Sequence, residues 1–181
     1  MKVVVLTGSP HPNGTTATLA DEFCAGVQEA KKHEIIRFDT AQREINPCIG
    51  CNYCHANDGR CVYPDDGMRE IAPALIEADA VVLVTPLYYF GITAQLKATI
   101  DRFYAVNDKL RASPKKLYLL AACGDADEWA MDTLLTHVDS LCRYLNWEKK
   151  GSVLAYSCFT KEEVEKTQFP KLARELGASI S

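Results

Sequence analysis

The 181-residue chain has no apolar run near the roughly 20 residues that a membrane-spanning helix needs. It has no internal repeat, no low-complexity tract and no composition shift that would mark a linker. One domain over 1–181 is therefore expected, long enough for its own core. It also lacks a strong charge of either sign. The formal net charge is −4, and the 24% of charged residues carry no basic excess, so neither nucleic acid nor a membrane is an expected partner. The apolar stretch at 3–6 ends at Gly8-Ser9-Pro10, too soon for a secretory leader, and the expected location is cytoplasmic. There, eight cysteines read as thiols or metal ligands rather than disulfides. No Ser-His-Asp set and no paired carboxylates are visible, and no catalytic side chain is assigned.

What the chain does have is the loop GSPHPNGTT at 8–16, between an apolar run and a segment of helical character. A helix start carries unpaired N–H groups and a partial positive charge, which suits an anion. Gly8 and Gly14 allow close backbone approach, and Ser9, Thr15 and Thr16 add hydroxyls. The loop reads either as a phosphate cradle or as an ordinary strand-to-helix turn. It lacks the Gly-Lys-Ser/Thr ending of an NTPase loop and the Gly-x-Gly-x-x-Gly spacing of a dinucleotide fold. With only His11 to help with charge, it suits one terminal phosphate, as in a mononucleotide flavin.

Short apolar runs predict strands at 2–7, 33–39, 78–85, 116–123 and 152–157. Apolar spacing predicts helices at 16–32, 68–77, 93–106, 129–145 and 160–176. Asp65 or Asp66 is the expected N-cap of the second, and Thr160 with Glu163 a capping box for the last. Strands alternating with helices imply a parallel sheet covered on both faces. Its strand-to-helix loops, 8–15, 40–67, 86–92 and 124–128, would share the C-terminal edge, around one crevice.

The stretch TPLYYFGITAQLKATIDRF at 85–103 puts Tyr88, Tyr89 and Phe90 in a loop ended by Gly91. These rings read as core, as a dimer contact, or as walls for a planar ring. This stretch and the Gly-Ser-Pro loop ending in Thr-Thr resemble the flavodoxin-like NAD(P)H-dependent FMN reductases. CIGCNYC, followed by Cys61 and Asp65-Asp66, resembles the branch that includes the iron–sulfur flavoproteins.

The resemblance covers nearly the whole chain and implies a doubly wound five-stranded parallel sheet of order 2-1-3-4-5, bound FMN and a homodimer. By position, Ser9, His11, Asn13, Gly14, Thr15 and Thr16 would surround the FMN phosphate. Pro86, Leu87, Tyr88, Tyr89, Phe90 and Gly91 would line ribityl and ring. Cys123, Gly124 and Asp125 would close the ring's other side. The family often has Arg where His11 stands and Asn where Thr15 stands. The implied activity is an FMN-dependent oxidoreductase. It takes hydride from NAD(P)H and passes electrons to a flavin, a quinone, an azo or nitro compound, or an iron–sulfur acceptor. A non-enzymatic FMN electron carrier and a thiol- or metal-based redox sensor are the alternatives.

Cys48, Cys51, Cys54 and Cys61 follow Cys-x2-Cys-x2-Cys-x6-Cys within the long segment 40–67. Closely spaced thiolates can wrap a [4Fe–4S] cluster, expected near the flavin. Structural or vestigial thiols, a zinc site and a Cys51–Cys54 disulfide switch also remain open. Cys24, Cys142 and Cys158 read as buried apolar residues, and Asp101 and Arg102 as a solvated or interface face of their helix.

Overall fold

β-branched and leucine-rich runs build a five-stranded parallel sheet in the computed structural model, which describes residues 1–29 and 32–180. The strands are β1 (Lys2–Thr7), β2 (Glu34–Asp39), β3 (Ala80–Pro86), β4 (Lys116–Ala122) and β5 (Glu148–Ala155). They lie in the order β2-β1-β3-β4-β5, as expected for a flavodoxin-like fold. The helices among the described residues are α1 (Thr15–Glu29), α2 (Tyr53–Ala56), α3 (Met68–Glu77), α4 (Ala94–Asp101), α5 (Asn107–Ala112), α6 (Asp132–Leu145), α7 (Lys161–Glu165) and α8 (Phe169–Ala178).

Successive strand residues point to opposite faces, and the core divides accordingly. Val4, Leu6, Val81, Leu83, Leu117 and Leu119 pack with α3, α4, α5 and α6. Val3, Val5, Val82, Val84, Leu120 and Val153 pack with α1, α7 and α8. Each face is thus covered, which makes three layers. On the second face, α1 and α8 meet backbone to backbone. A Cβ at Gly26 would lie 2.0 Å from the Arg174 carbonyl, and one at Gly177 2.1 Å from the Phe23 carbonyl.

The elements depart from the sequence expectation in four places. β5 starts four residues early because Glu148, Lys149 and Lys150 are exposed on an edge strand and leave no apolar signal. The helix expected at 93–106 ends at Asp101 and gives way to a 3₁₀ turn, Arg102–Val106, before α5. A 3₁₀ turn, Glu128–Met131, likewise precedes α6. The helix expected at 160–176 is two helices, the second opened by Pro170 in its first turn. The capping box on α7 is present in full. Of the helix expected at 16–32, residues 30 and 31 lie outside the described residues.

Two expectations about single residues are corrected. Arg102 is not a solvated face: it is 3% exposed and pairs with Asp66 at 2.5 Å. Gly8 is small for packing, not for a ligand. A Cβ there would stand 2.6 Å from both Leu96 Cβ and Thr93 Oγ1. Thr93 caps α4 by accepting from the Leu96 N–H and donates its hydroxyl to the Gly8 carbonyl at 2.7 Å. This contact locks the loop after β1 onto the start of α4, at the C-terminal edge of the sheet. No described helix is long and apolar enough to cross a membrane.

Candidate functional site

Strand order reverses between β1 and β3, and open α/β sheets bind ligands at that point, beyond the carboxyl ends of the strands. A pocket of about 600 Å³ opens there. Three separate segments meet around it: Ser9, His11, Pro12, Asn13, Gly14 and Thr15 after β1, Pro86, Leu87 and Tyr88 at the end of β3, and Ala122, Cys123 and Gly124 at the end of β4. The segment after β5 supplies Cys158, Phe159, Thr160 and Lys161.

The β1 loop has the geometry of an anion cradle. Ser9 Oγ accepts from the His11 N–H at 3.1 Å, and the Gly14 N–H donates to the His11 carbonyl at 3.2 Å, which curls the loop. The first-turn N–H groups of Thr15, Thr16 and Ala17 have no partner among the described residues. At the rim beside the loop, Gln42 donates to the Pro10 carbonyl at 3.2 Å. The Thr16 side chain turns away from the pocket into the core and is 1% exposed.

The β3 loop is strained. Tyr88 and Gly91 exchange backbone hydrogen bonds at 3.1 Å in both directions around a two-residue turn. Both central residues are left-handed, Tyr89 at φ 45° and Phe90 at φ 64°. Hairpin turns of this kind favour Asn and Gly, and an aromatic residue there is under backbone strain. Such strain persists where the surroundings impose it, and it concentrates at functional sites. Phe90 is held by stacking on Trp129, with ring centroids 5.3 Å apart, while Tyr89 is fully exposed. Tyr89, Phe90 and Gly91 therefore shape the loop beside the pocket without lining it.

The opposite wall is thiol-lined. Burial pushes the Cys123 and Cys158 thiols up, so both stay protonated and donate to the carbonyls of Asp125 at 3.4 Å and Tyr156 at 3.1 Å. They are packing groups, not nucleophiles. Asp125 stands behind this wall, its carbonyl accepting from the Ser157 N–H at 2.8 Å, and does not line the pocket. Reading from sequence missed Pro12, Ala122 and the whole 158–161 segment. The rule that places strand-to-helix loops on one edge applies equally after β5 and would have found the latter.

The cysteine loop does not join this crevice. It leaves the rim after Gln42 and folds against Arg102, Tyr104 and Ala105, and no residue of 40–67 lines the pocket. Cys48, Cys51, Cys54 and Cys61 line one separate small cavity of about 20 Å³. Gly50, Asn52, Asp58 and Gly59 all have left-handed φ values, so the chain turns sharply around the thiols. All eight cysteines are free. No three His, Cys, Asp or Glu side chains among the described residues converge as one ion's ligands. Four cysteines around one cavity are the ligand type and number that a [4Fe–4S] cluster uses.

A sequence model of the NADPH-dependent FMN reductases matches residues 1–146. The chain belongs to that family. Two iron–sulfur flavoproteins of Methanocaldococcus jannaschii are similar to this member. One is 42% identical over 103 residues, covering 56% of this chain and 51% of that protein. The other is 36% identical over 117 residues, covering 65% and 56%. The chain thus spans about half the length of these curated relatives. Among solved structures, the NAD(P)H:quinone oxidoreductase of Methanothermobacter marburgensis superposes with a TM-score of 0.76 at 17% identity. It covers 98% of this chain and 94% of that one, and shares the flavodoxin-like fold.

Proposed function

We propose that this FMN reductase family member binds FMN in the 600 Å³ pocket and acts as an oxidoreductase on NAD(P)H. The carrying observation is that the β1, β3 and β4 loops, far apart in sequence, line one cavity at the topological switch point. Its volume lies within the range of small-ligand pockets. Ser9, Thr15 and the free N–H groups at the start of α1 would hold a terminal phosphate, with the His11 ring as a further donor. Pro86, Leu87 and Tyr88 would lie along one side of ribityl and ring, with Cys123, Gly124 and Phe159 on the other. The flavin, when bound, accepts hydride and returns electrons to a second acceptor. The protein's part is alignment and exclusion of water, which requires no acid or base among these residues.

The acceptor class we favour is a flavin, a quinone, or an azo or nitro compound. Cys48, Cys51, Cys54 and Cys61 would hold a [4Fe–4S] cluster, which supplies single-electron transfer. The matches to proteins named iron–sulfur flavoproteins support this part of the reading. Eight free thiols support a cytoplasmic setting. Exposed Tyr88, Tyr89, Phe90, Trp129 and Phe159 beside the pocket mouth support a homodimer, which light scattering tests.

The function is tested by titrating FMN into metal-free protein and following NADH and NADPH oxidation with each acceptor class. Saturable FMN binding and acceptor-dependent oxidation are expected. Protein that binds no FMN overturns the site. Protein that binds FMN but oxidises neither nucleotide overturns the enzyme and leaves an electron carrier, the second reading.

A further inference from the structure

The two stems of the cysteine loop are tied to the body of the protein by Arg102, while Tyr104 holds its tip through the Asn52 side chain at 3.1 Å. Arg102 Nη1 donates to the Asn46 carbonyl at 2.8 Å, two residues before Cys48, and to Asp66 Oδ2 at 2.5 Å. Its Nη2 donates to the Tyr63 carbonyl at 3.4 Å, two residues after Cys61, and to Asp66 Oδ1 at 3.4 Å. Asp66 in turn accepts from the Asn46 and Met68 N–H groups, each at 3.0 Å. One guanidinium therefore staples both stems of the loop on either side of the four cysteines.

Arg102 also lines the cavity that the four cysteines share, whereas Asp66 does not. The ion pair is thus oriented with its positive end at the thiols. The Arg102 Nε is buried and has no hydrogen-bond partner among the described residues. A buried donor without an acceptor is unfavourable and rare in native proteins. A guanidinium is a rigid fork whose donors act together, so the spare donor's direction is set by the four bonds already made.

We infer that Arg102 is the positioning residue of the cysteine site. Its Nε–H donates to a sulfur of the cluster held there, and its charge offsets the negative charge of four thiolates. This rests on the cluster reading above. Hydrogen bonds to sulfur and local charge are the means by which a protein sets a cluster's potential.

The test is anaerobic reconstitution with ferrous iron and sulfide, iron and labile-sulfide analysis, and a spectroscopically monitored dithionite titration. Wild type is expected to hold about four irons per chain. Arg102→Gln removes the positive end and leaves Asp66 behind, so the midpoint potential falls. Asp66→Asn removes the negative end, so the potential rises. Arg102→Lys keeps the charge and stays near wild type. A purely structural staple predicts loss of iron in all three with no opposed shifts. If Arg102→Gln does not fold, Asp66→Asn and Arg102→Lys decide the matter. Wild type that takes up iron while the variants share its potential, or shift in one direction together, overturns this inference alone. Wild type that takes up no iron yet binds FMN overturns the cluster reading and this inference with it.

Discussion

Replacing Gly8 with alanine places a methyl group where α4 already stands. Its two nearest neighbours, Leu96 Cβ and Thr93 Oγ1, would both lie at 2.6 Å, and neither is the free end of a flexible side chain. Leu96 Cβ is fixed by the helix backbone. Thr93 Oγ1 is held by its bonds to the Gly8 carbonyl and the Leu96 N–H. Gly8 is also anchored from its other side, since its N–H donates to the Val84 carbonyl at 2.8 Å. Overpacking of a filled interior costs about 1–3 kcal/mol. Stretching the Thr93–Gly8 bond adds about 1 kcal/mol. The expected destabilisation of about 2–4 kcal/mol corresponds to a fall in Tm of about 5–15 °C for a chain of this length. Gly14→Ala is the comparator. Its Cβ would stand 3.3 Å from His11 Cβ and 3.4 Å from the His11 carbonyl, a contact that small adjustments relieve. It should cost less than about 1 kcal/mol. Thermal and urea unfolding of metal-free protein, with and without FMN, measures both. Gly8→Ala melting within about 2 °C of wild type, or Gly14→Ala melting lower than Gly8→Ala, would refute the packing argument.

The strained turn gives the opposite sign: Tyr89→Asn relieves a left-handed aromatic whose side chain makes no buried contact, and Tm should rise by about 1–4 °C. A lower Tm would mean that the turn is not strained. Burial pushes the Asp66 carboxyl up, but its bonds from Arg102 and from the Asn46 and Met68 N–H groups outweigh this and hold it below 3.8. The folded value is the lower one, so this stability is complete above pH 3.8 and is lost as the pH falls through the depressed value. Asp66→Asn should therefore be less stable at neutral pH, by about 3–5 kcal/mol, and should lose less on acidification below about pH 4. Parallel pH profiles from urea melts would contradict this. Burial pushes the Cys24 and Cys142 thiols up to about 11, so about one in a thousand is ionised at pH 8. Iodoacetamide should label the exposed Cys48 and Cys51 of metal-free protein first, and peptide mapping that finds Cys142 labelled as fast would count against the structure.

What sequence reveals about this chain is what depends on neighbours along it. The run at 80–84 is apolar without interruption because both faces of β3 are buried, so strand and sheet type follow from pattern, whereas the strand order and its switch point are what the family resemblance implies. The loop at 8–16 is legible for the same reason: its turn residues and the helix start that follows them are adjacent in sequence, although Val84, Thr93 and Gln42 fix its position. Arg102 is the opposite case. In sequence it is a charge on a helix, and charges on helices are normally solvated. Its partner Asp66 lies 36 positions away, and nothing in either segment signals the pairing. The same pair bears on the long segment 40–67, which does not line the crevice that topology alone assigns to it. Topology puts the start of that segment at the rim, where Thr40 and Gln42 indeed bond to Thr7 and Pro10. Beyond that, the buried Asp66 carboxylate meets its counter-charge at Arg102. That counter-charge stands at the far end of α4, away from the start that Thr93 anchors at the rim. The tether keeps the thiols with Arg102, Tyr104 and Ala105, around a cavity of their own. The cysteine cavity and the pocket at the switch point accordingly share no lining residue.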